Sequence, residues 1–369
     1  MELPTSATDE FSNQSILVID EEVLDSDIPD SELPPYRPSV IALSSGGTKG
    51  LGQVGTLSVL YDEGILSEVD TYIGTSVGGV IALLLVIGCT PHEILEVAVR
   101  STILKPWSQM NKLDKVFLTE YGFVPHELVT APLRALVEKK MNKIPTLLEL
   151  YEETSIRLVF VSGNLTDRRV EYLDYISEPD MSCIEAMTSS MLIPGLISKF
   201  RYKGKLRIDG AFVDPYPAHY FDDGEREILG LAVIGTELDP DQSYFSYVYA
   251  AMCLAFDSLQ AVYCKKVSDK VRTIELHLPD ISVLDRAKDI NKRLKCYNAG
   301  VLEGMRAVAA FRGKSYEEYY GSSILPDKYS LIPTFEVKRK TRAQENARRG
   351  RAPNRFASAL GRIPVPRFG

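Results

Sequence analysis

Thr71-Tyr72-Ile73-Gly74-Thr75-Ser76-Val77-Gly78-Gly79-Val80-Ile81-Ala82-Leu83-Leu84-Leu85-Val86-Ile87 holds two elements and the corner between them. Residues 71–73 have the composition of a strand, and residues 77–87 are apolar all round, as a buried helix must be. At the corner, Gly74-Thr75-Ser76-Val77-Gly78 sets a serine on a strand-to-helix turn with glycine two residues to either side. A serine so placed sits on a strained turn and needs small neighbours at those two positions. The helix N-terminus beside it favours developing negative charge. The surrounding uncharged stretch, residues 71–91, contains four glycines. A membrane span needs ~20 mostly apolar residues, so this stretch reads as core.

Two other clusters stand before and after this corner. The apolar run 40–43 leads into Ser45-Gly46-Gly47-Thr48-Lys49-Gly50, and Leu51, Val54, Leu57, Leu60 and Tyr61 then follow at helical spacing. A glycine turn opening a helix brings backbone N–H groups close to a ligand and can hold an oxyanion or a phosphate. Much later, the short apolar run 206–208 ends in Asp209-Gly210-Ala211. Alone, an Asp-Gly pair is a turn.

Further strands are expected at 158–162, 170–173, 228–234 and 273–278. Helical patterns occupy 91–99, 125–140, 146–153, 183–192, 244–267 and 286–311. Short apolar strands alternating with helices predict an α/β chain: a three-layer α/β/α domain around a mostly parallel central sheet.

The three clusters, in this order, resemble the patatin-like phospholipase family. The resemblance runs over residues 38–234 and more loosely to Tyr297-Asn298-Ala299-Gly300. It includes the small-residue helix Glu185-Ala186-Met187-Thr188-Ser189-Ser190 leading to Ile193-Pro194-Gly195, and Asp214-Pro215-Tyr216-Pro217 after the aspartate. The resemblance implies Ser76 as nucleophile, within an elbow bounded by Gly74 and Gly78. Asp209 of the Asp209-Gly210-Ala211 motif would accept its proton. Backbone amides around Gly46, Gly47 and Thr48 would form the oxyanion hole, with Lys49 where the family has Arg or Lys. The implied activity is lipid acyl hydrolysis of phospholipase A type through an acyl-serine, without cofactor or metal. Ser45 departs from the pattern, which opens its loop with glycine; a lost oxyanion donor costs ~10²–10³ in rate. Two alternatives stay open: a Ser-His-Asp esterase using His219 or His277, and a catalytically weak module that binds lipid or a partner.

Charge divides the chain of 369 residues into three. Residues 1–36 hold ten acidic residues and no Lys or Arg, while residues 336–369 carry a net +8. The whole chain is at −8, which leaves −6 for residues 37–335. Residues 1–37 therefore read as an acidic, disordered segment and 336–369 as a basic, flexible tail around a domain at 38–335. Within that domain, 38–234 bears the motifs and 235–335 is mainly helical. The five cysteines form no close pair and, with no secretion signal, imply reduced thiols and a cytoplasmic setting. The expected partner is a phospholipid or membrane surface, which the basic tail would contact where it is anionic. No nucleic-acid partner is expected, and oligomeric state stays open. The lipid tail is expected against the irregular region 103–124, with Trp107 and Phe117, and the long helix from Tyr244.

Gly50-Leu51-Gly52-Gln53-Val54-Gly55 matches a dinucleotide-binding fingerprint by count, with Asp70 twenty residues on. The context disagrees: these glycines fall inside the expected helix, and Asp70 precedes the second strand instead of closing it. Gly52 and Gly55 are read instead as permitting close helix packing. Asp214 reads as part of a turn. No His, Cys or Asp spacing resembles a zinc or EF-hand set.

Overall fold

The computed structural model describes residues 36–100, 119–235, 241, 244–265, 267–278 and 290–321. The expectations for residues 1–35 and 336–369, and for Trp107 and Phe117, fall outside these residues. Along the chain run β1 (Val40–Leu43), α1 (Gly50–Asp62), β2 (Thr71–Thr75), α2 (Val77–Val86) and α3 (Pro91–Arg100). Next come β3 (Gly122–Val124), α4 (His126–Met141), α5 (Leu147–Thr154), β4 (Arg157–Asn164), β5 (Arg169–Leu173) and α6 (Cys183–Ser190). The chain continues with β6 (Gly195–Ile197), β7 (Phe200–Tyr202), β8 (Lys205–Asp209) and β9 (Ile228–Ile234). It closes with α7 (Tyr244–Cys264), β10 (Val271–His277), α8 (Ile290–Phe311) and α9 (Tyr316–Tyr320).

The main sheet has the order β10-β9-β1-β2-β4-β8-β7, with β5 also paired to β4. Strands β10, β9, β1, β2 and β4 are mutually parallel. The pairs β4–β5, β4–β8 and β8–β7 are antiparallel. Every residue of β1 and β2 is buried, which requires cover on both faces and explains their unbroken apolar runs. The expected mostly parallel α/β sheet is thus present. The sequence did not reveal the antiparallel direction of β8, nor the three-residue strands β3, β6 and β7, which are too short to show a period.

One strand edge positions the site. At Phe160 and Val161, β4 is flanked by β2 on one edge and β5 on the other. At Ser162 to Asn164 it is flanked by β5 and β8. A strand has only two edges, so β2 and β8 share the edge opposite β5. They approach from opposite directions and end one residue apart: Thr75 pairs with Val161, and Asp209 with Ser162. The residues at these two strand ends, 133 positions apart in sequence, are thereby brought face to face.

Helix α1 is held by α8 at close range, as Gly52 and Gly55 suggested. A Cβ at Gly55 would lie 2.1 Å from Tyr297 O, and one at Gly300 would lie 1.9 Å from Gly52 O. Thr56 Oγ1 donates to Gly300 O at 2.8 Å across the same contact. The fingerprint-like glycines therefore sit mid-helix against another helix. Asp70 lies at the start of β2, paired with Arg226.

Candidate active site

Strand β2 delivers Ser76 at its C-terminal end, in a conformation (φ 56°, ψ −122°) uncommon for a residue with a side chain. The turn closes only because its neighbours lack Cβ atoms: one at Gly74 would lie 2.4 Å from Gly78 C, and one at Gly78 would lie 2.5 Å from Leu43 O. The Ser76 N–H donates to Ser190 Oγ at 3.0 Å. Helix α6, which carries Ser190, is tied to β4 by Ser162 Oγ donating to Ser189 O at 2.8 Å.

Ser76 Oγ donates to Asp209 Oδ2 at 2.7 Å. The other carboxylate oxygen, Oδ1, accepts from Ala211 N at 2.8 Å. Gly210 makes this turn possible, since a Cβ there would lie 2.4 Å from Val161 O. Asp209 is buried and surrounded by few polar groups, so desolvation pushes its pKa up to about 6 against the lowering effect of its two hydrogen bonds. A carboxylate so raised is a far better proton acceptor than one in water.

The glycine turn borders the same space. Gly46 and Gly47 line a cleft with Ser76 and Asp209, and Gly47 adopts φ 52°. A Cβ at Gly46 would press on Val233 at 3.0 Å. The Lys49 N–H donates to Gly46 O at 3.0 Å, so it is already engaged within the turn. Its buried side chain reaches across to donate to Gly235 O at 2.6 Å, pinning the turn to the end of β9. Gln53 Nε2 adds a bond to Ser44 O at 2.9 Å. Ser45 is not among the positive-φ residues, and its N–H donates to Pro215 O at 2.9 Å. Glycine is therefore not required there, and that amide is directed away from the cleft.

Two cavities meet at Ser76. The first is the small cleft just described, closed on its far side by Tyr249, Cys253, Phe256, Asp257 and Gln260 of α7. The second has a volume of about 200 Å³ and is almost wholly apolar. Its walls are Leu51 and Val54 of α1, Val80 and Leu84 of α2, Ile94 of α3 and Leu133 of α4, among others. Part of the expected apolar environment, α7, thus faces the small cleft, while the larger cavity lies among helices α1 to α4. Residues 103–118 fall outside the described residues.

No histidine lines either cavity. His219 stacks on Tyr263 with ring centroids 4.4 Å apart and lies 3.8 Å from Asp214. His277 is exposed beside Glu275, His92 sits beside Asp62, and His126 contacts Ser198. Asp214 is more than a turn residue. It is fully buried, accepts from Tyr172 Oη at 2.9 Å, and its carbonyl accepts from Thr75 Oγ1 at 2.8 Å. It ties the segment after Asp209 to the strand before Ser76. Sequence reading missed this role, as it missed Ser190; the one available signal was an acidic residue amid apolar and proline neighbours.

A mostly parallel sheet, a serine on a strand-to-helix elbow and a carboxylate at a neighbouring strand end define the α/β class of serine-hydrolase architectures. Residues 41–222 match the family model described as patatin-like phospholipase, and the chain belongs to that family. Among curated proteins it is 27% identical over 191 residues to "Probable lipid hydrolase 463L" of Invertebrate iridescent virus 6, covering 50% of this chain and 63% of that one. The match therefore spans just under two thirds of that relative. It is 24% identical over 281 residues to the uncharacterized protein R571 of Acanthamoeba polyphaga mimivirus, covering 71% of this chain and 90% of that one. Among solved structures, VipD from Legionella pneumophila is similar at a TM-score of 0.46 and 16% identity, covering 74% of this chain and 67% of that chain.

Proposed function

We propose that this protein is a lipid acyl hydrolase of phospholipase A type, in which Ser76 and Asp209 act as a catalytic dyad on glycerophospholipid esters. The observation that carries this reading is the 2.7 Å hydrogen bond from Ser76 Oγ to Asp209 Oδ2, beside a large apolar cavity. Serine alone is a weak nucleophile; a base that takes its proton during attack makes it effective. Ser76 Oγ attacks the ester carbonyl carbon as its proton passes to Asp209. The carbonyl oxygen becomes an oxyanion, stabilised by the backbone amides of Gly46, Gly47 and Thr48, while Lys49 holds that turn in place. As the tetrahedral intermediate collapses, the C–O bond to the glycerol breaks and Asp209 returns the proton to the departing alkoxide. Water then attacks the acyl-Ser76 ester, Asp209 takes its proton, and the fatty acid leaves as Ser76 regains its hydrogen. The acyl chain occupies the cavity among α1 to α4, and the alcohol portion leaves through the cleft under α7.

The direct test is labelling of the intact protein with a fluorophosphonate probe, alongside hydrolysis of a panel of phospholipids. Wild type is expected to label and to release fatty acid, and Ser76→Ala to do neither. Absence of labelling in wild type, or equal release by both, removes the assignment. His219→Ala and His277→Ala distinguish a triad, which would collapse on losing its histidine.

The reaction should also report its base. Because burial raises the Asp209 pKa to about 6, kcat/KM on a neutral, water-soluble ester is expected to be level above pH 6. Below that it should fall about tenfold per pH unit as the carboxylate is protonated. A profile flat down to pH 4 would show that Asp209 is not the proton acceptor.

A further inference from the structure

Helix α7 has two faces. Its inner side, with Tyr249, Cys253, Phe256 and Gln260, lines the cleft that holds Ser76 and Asp209. Its outer side brings Tyr247, Ala251, Leu254, Ser258 and Val262 into one stripe, at steps of three and four residues. Tyr247, Leu254 and Val262 are 64%, 70% and 48% exposed. Ala251, Ala255 and Ser258 are exposed with them. The Ser258 hydroxyl donates back to Leu254 O at 2.7 Å, so the polar member of the stripe already has its donor satisfied inside the helix. Over its 21 residues α7 has one charged side chain, Asp257, and that residue borders the cleft. At ~1.5 Å per residue the stripe is about 23 Å long. A helix that faces only water carries charged residues on its outer face. A continuous exposed apolar strip marks a surface that meets something else.

We propose that the outer face of α7 docks in the interfacial layer of an anionic phospholipid membrane, with the basic C-terminal segment as its electrostatic partner. This rests on the lipid-hydrolase reading of the adjoining cleft. Charge complementarity selects the occupant. Residues 37–335 carry a net −6, which an anionic surface repels, whereas residues 336–369 carry +8, which it attracts. Stable attachment to a membrane surface generally needs two such signals, one apolar and one basic, and this chain has both. Position selects it too. Because α7 also walls the cleft, seating its outer face at the boundary between headgroups and acyl chains brings the cleft to the depth of the ester bonds. Among the described residues no helix is long and apolar enough to cross a membrane, and a one-sided stripe suits a helix lying in the plane of the surface.

The test uses the full chain with Leu254→Asp and Val262→Asp, both at exposed positions. It measures flotation with vesicles of phosphatidylcholine alone or mixed with phosphatidylserine, and turnover of a water-soluble short-chain ester. Each variant is expected to partition about tenfold more weakly and to hydrolyse vesicle lipid correspondingly more slowly, since one large apolar side chain contributes about that factor. Turnover of the soluble ester should stay at the wild-type rate. Reversing Lys338, Arg339 and Lys340 to Glu should remove the preference for phosphatidylserine. Flotation of the aspartate variants equal to wild type overturns the proposal, as does an unchanged lipid preference after charge reversal. A wild-type dimer that Leu254→Asp dissociates would assign the face to a second copy and overturn it as well. Failure of the hydrolase reading appears separately, as wild type without soluble-ester turnover, and flotation then still decides the docking.

Discussion

Asp209→Asn should be nearly inactive and, above pH 6, more stable than wild type. The substitution keeps the shape of the side chain. The carboxamide oxygen of the variant can still accept from the Ala211 N–H, where Asp209 Oδ1 now accepts at 2.8 Å. The carboxamide nitrogen then faces Ser76 Oγ as a donor, so the hydrogen bond reverses and no group remains to take the serine proton. Removal of a positioned general base is expected to lower kcat by ~10²–10⁴. The stability effect has the opposite sign. Asp209 has a pKa of about 6 in the folded protein and near 4 in the unfolded chain. Below pH 4 both states hold the proton, and the residue's contribution to stability is fully present. Between pH 4 and 6 the unfolded chain releases its proton first, so that contribution falls until the folded group ionises as well. Above pH 6 wild type keeps a buried charge that the carboxamide lacks, worth on the order of 1–3 kcal/mol. Thermal melts of the two proteins should therefore diverge from pH 4 to 6 and stay apart above it. A less stable variant at pH 8, or one with wild-type turnover, would contradict the assignment of this carboxylate.

What could be read from the sequence was what neighbours in the chain decide. The unbroken apolar run of β1, the corner at Ser76 and the buried helix after it are local patterns, and they match the structure closely. Joining Ser76 to Asp209 needed more than pattern. An Asp-Gly pair is mostly a turn, and here it gained meaning only from the order of three motifs and a family resemblance. The physical reason they meet is that β2 and β8 share one edge of β4, and edge sharing depends on pairing between distant segments. Strand β8 runs antiparallel, and no local periodicity encodes direction. Ser190, which accepts from the Ser76 amide, and Lys49, which reaches Gly235, are likewise long-range partners. Ser45 looked like a defect because a glycine was missing from a glycine pattern. In the structure, backbone conformation decides the matter, and that position needs no left-handed residue. The apolar cavity was the hardest feature to foresee, since an empty space is bounded by side chains from four helices and belongs to none of their sequences.

That cavity yields the other large effect. Leu133→Trp should convert the protein into a short-chain esterase. Leu133 is buried on α4 and faces the apolar cavity opposite the α1 and α2 residues that line it. An indole in its place fills space that an acyl chain would otherwise occupy, and α4 can carry it because the added bulk projects into a void instead of a packed layer. Each methylene refused by the cavity forfeits ~0.8 kcal/mol of burial. Loss of three of them lowers kcat/KM for long-chain esters by roughly 60-fold. Butyryl esters, whose chains end near Ser76, should be turned over at close to the wild-type rate, and a small fluorophosphonate should label Ser76 as before. Those two controls separate a blocked cavity from a damaged dyad or an unfolded chain. The contrasting variant is Cys253→Trp, which fills the cleft under α7. It should impair every chain length alike, because that side is assigned to the alcohol and not to the acyl group. Chain-length profiles that superimpose for wild type and Leu133→Trp would place the acyl chain elsewhere and reverse the assignment of the two cavities.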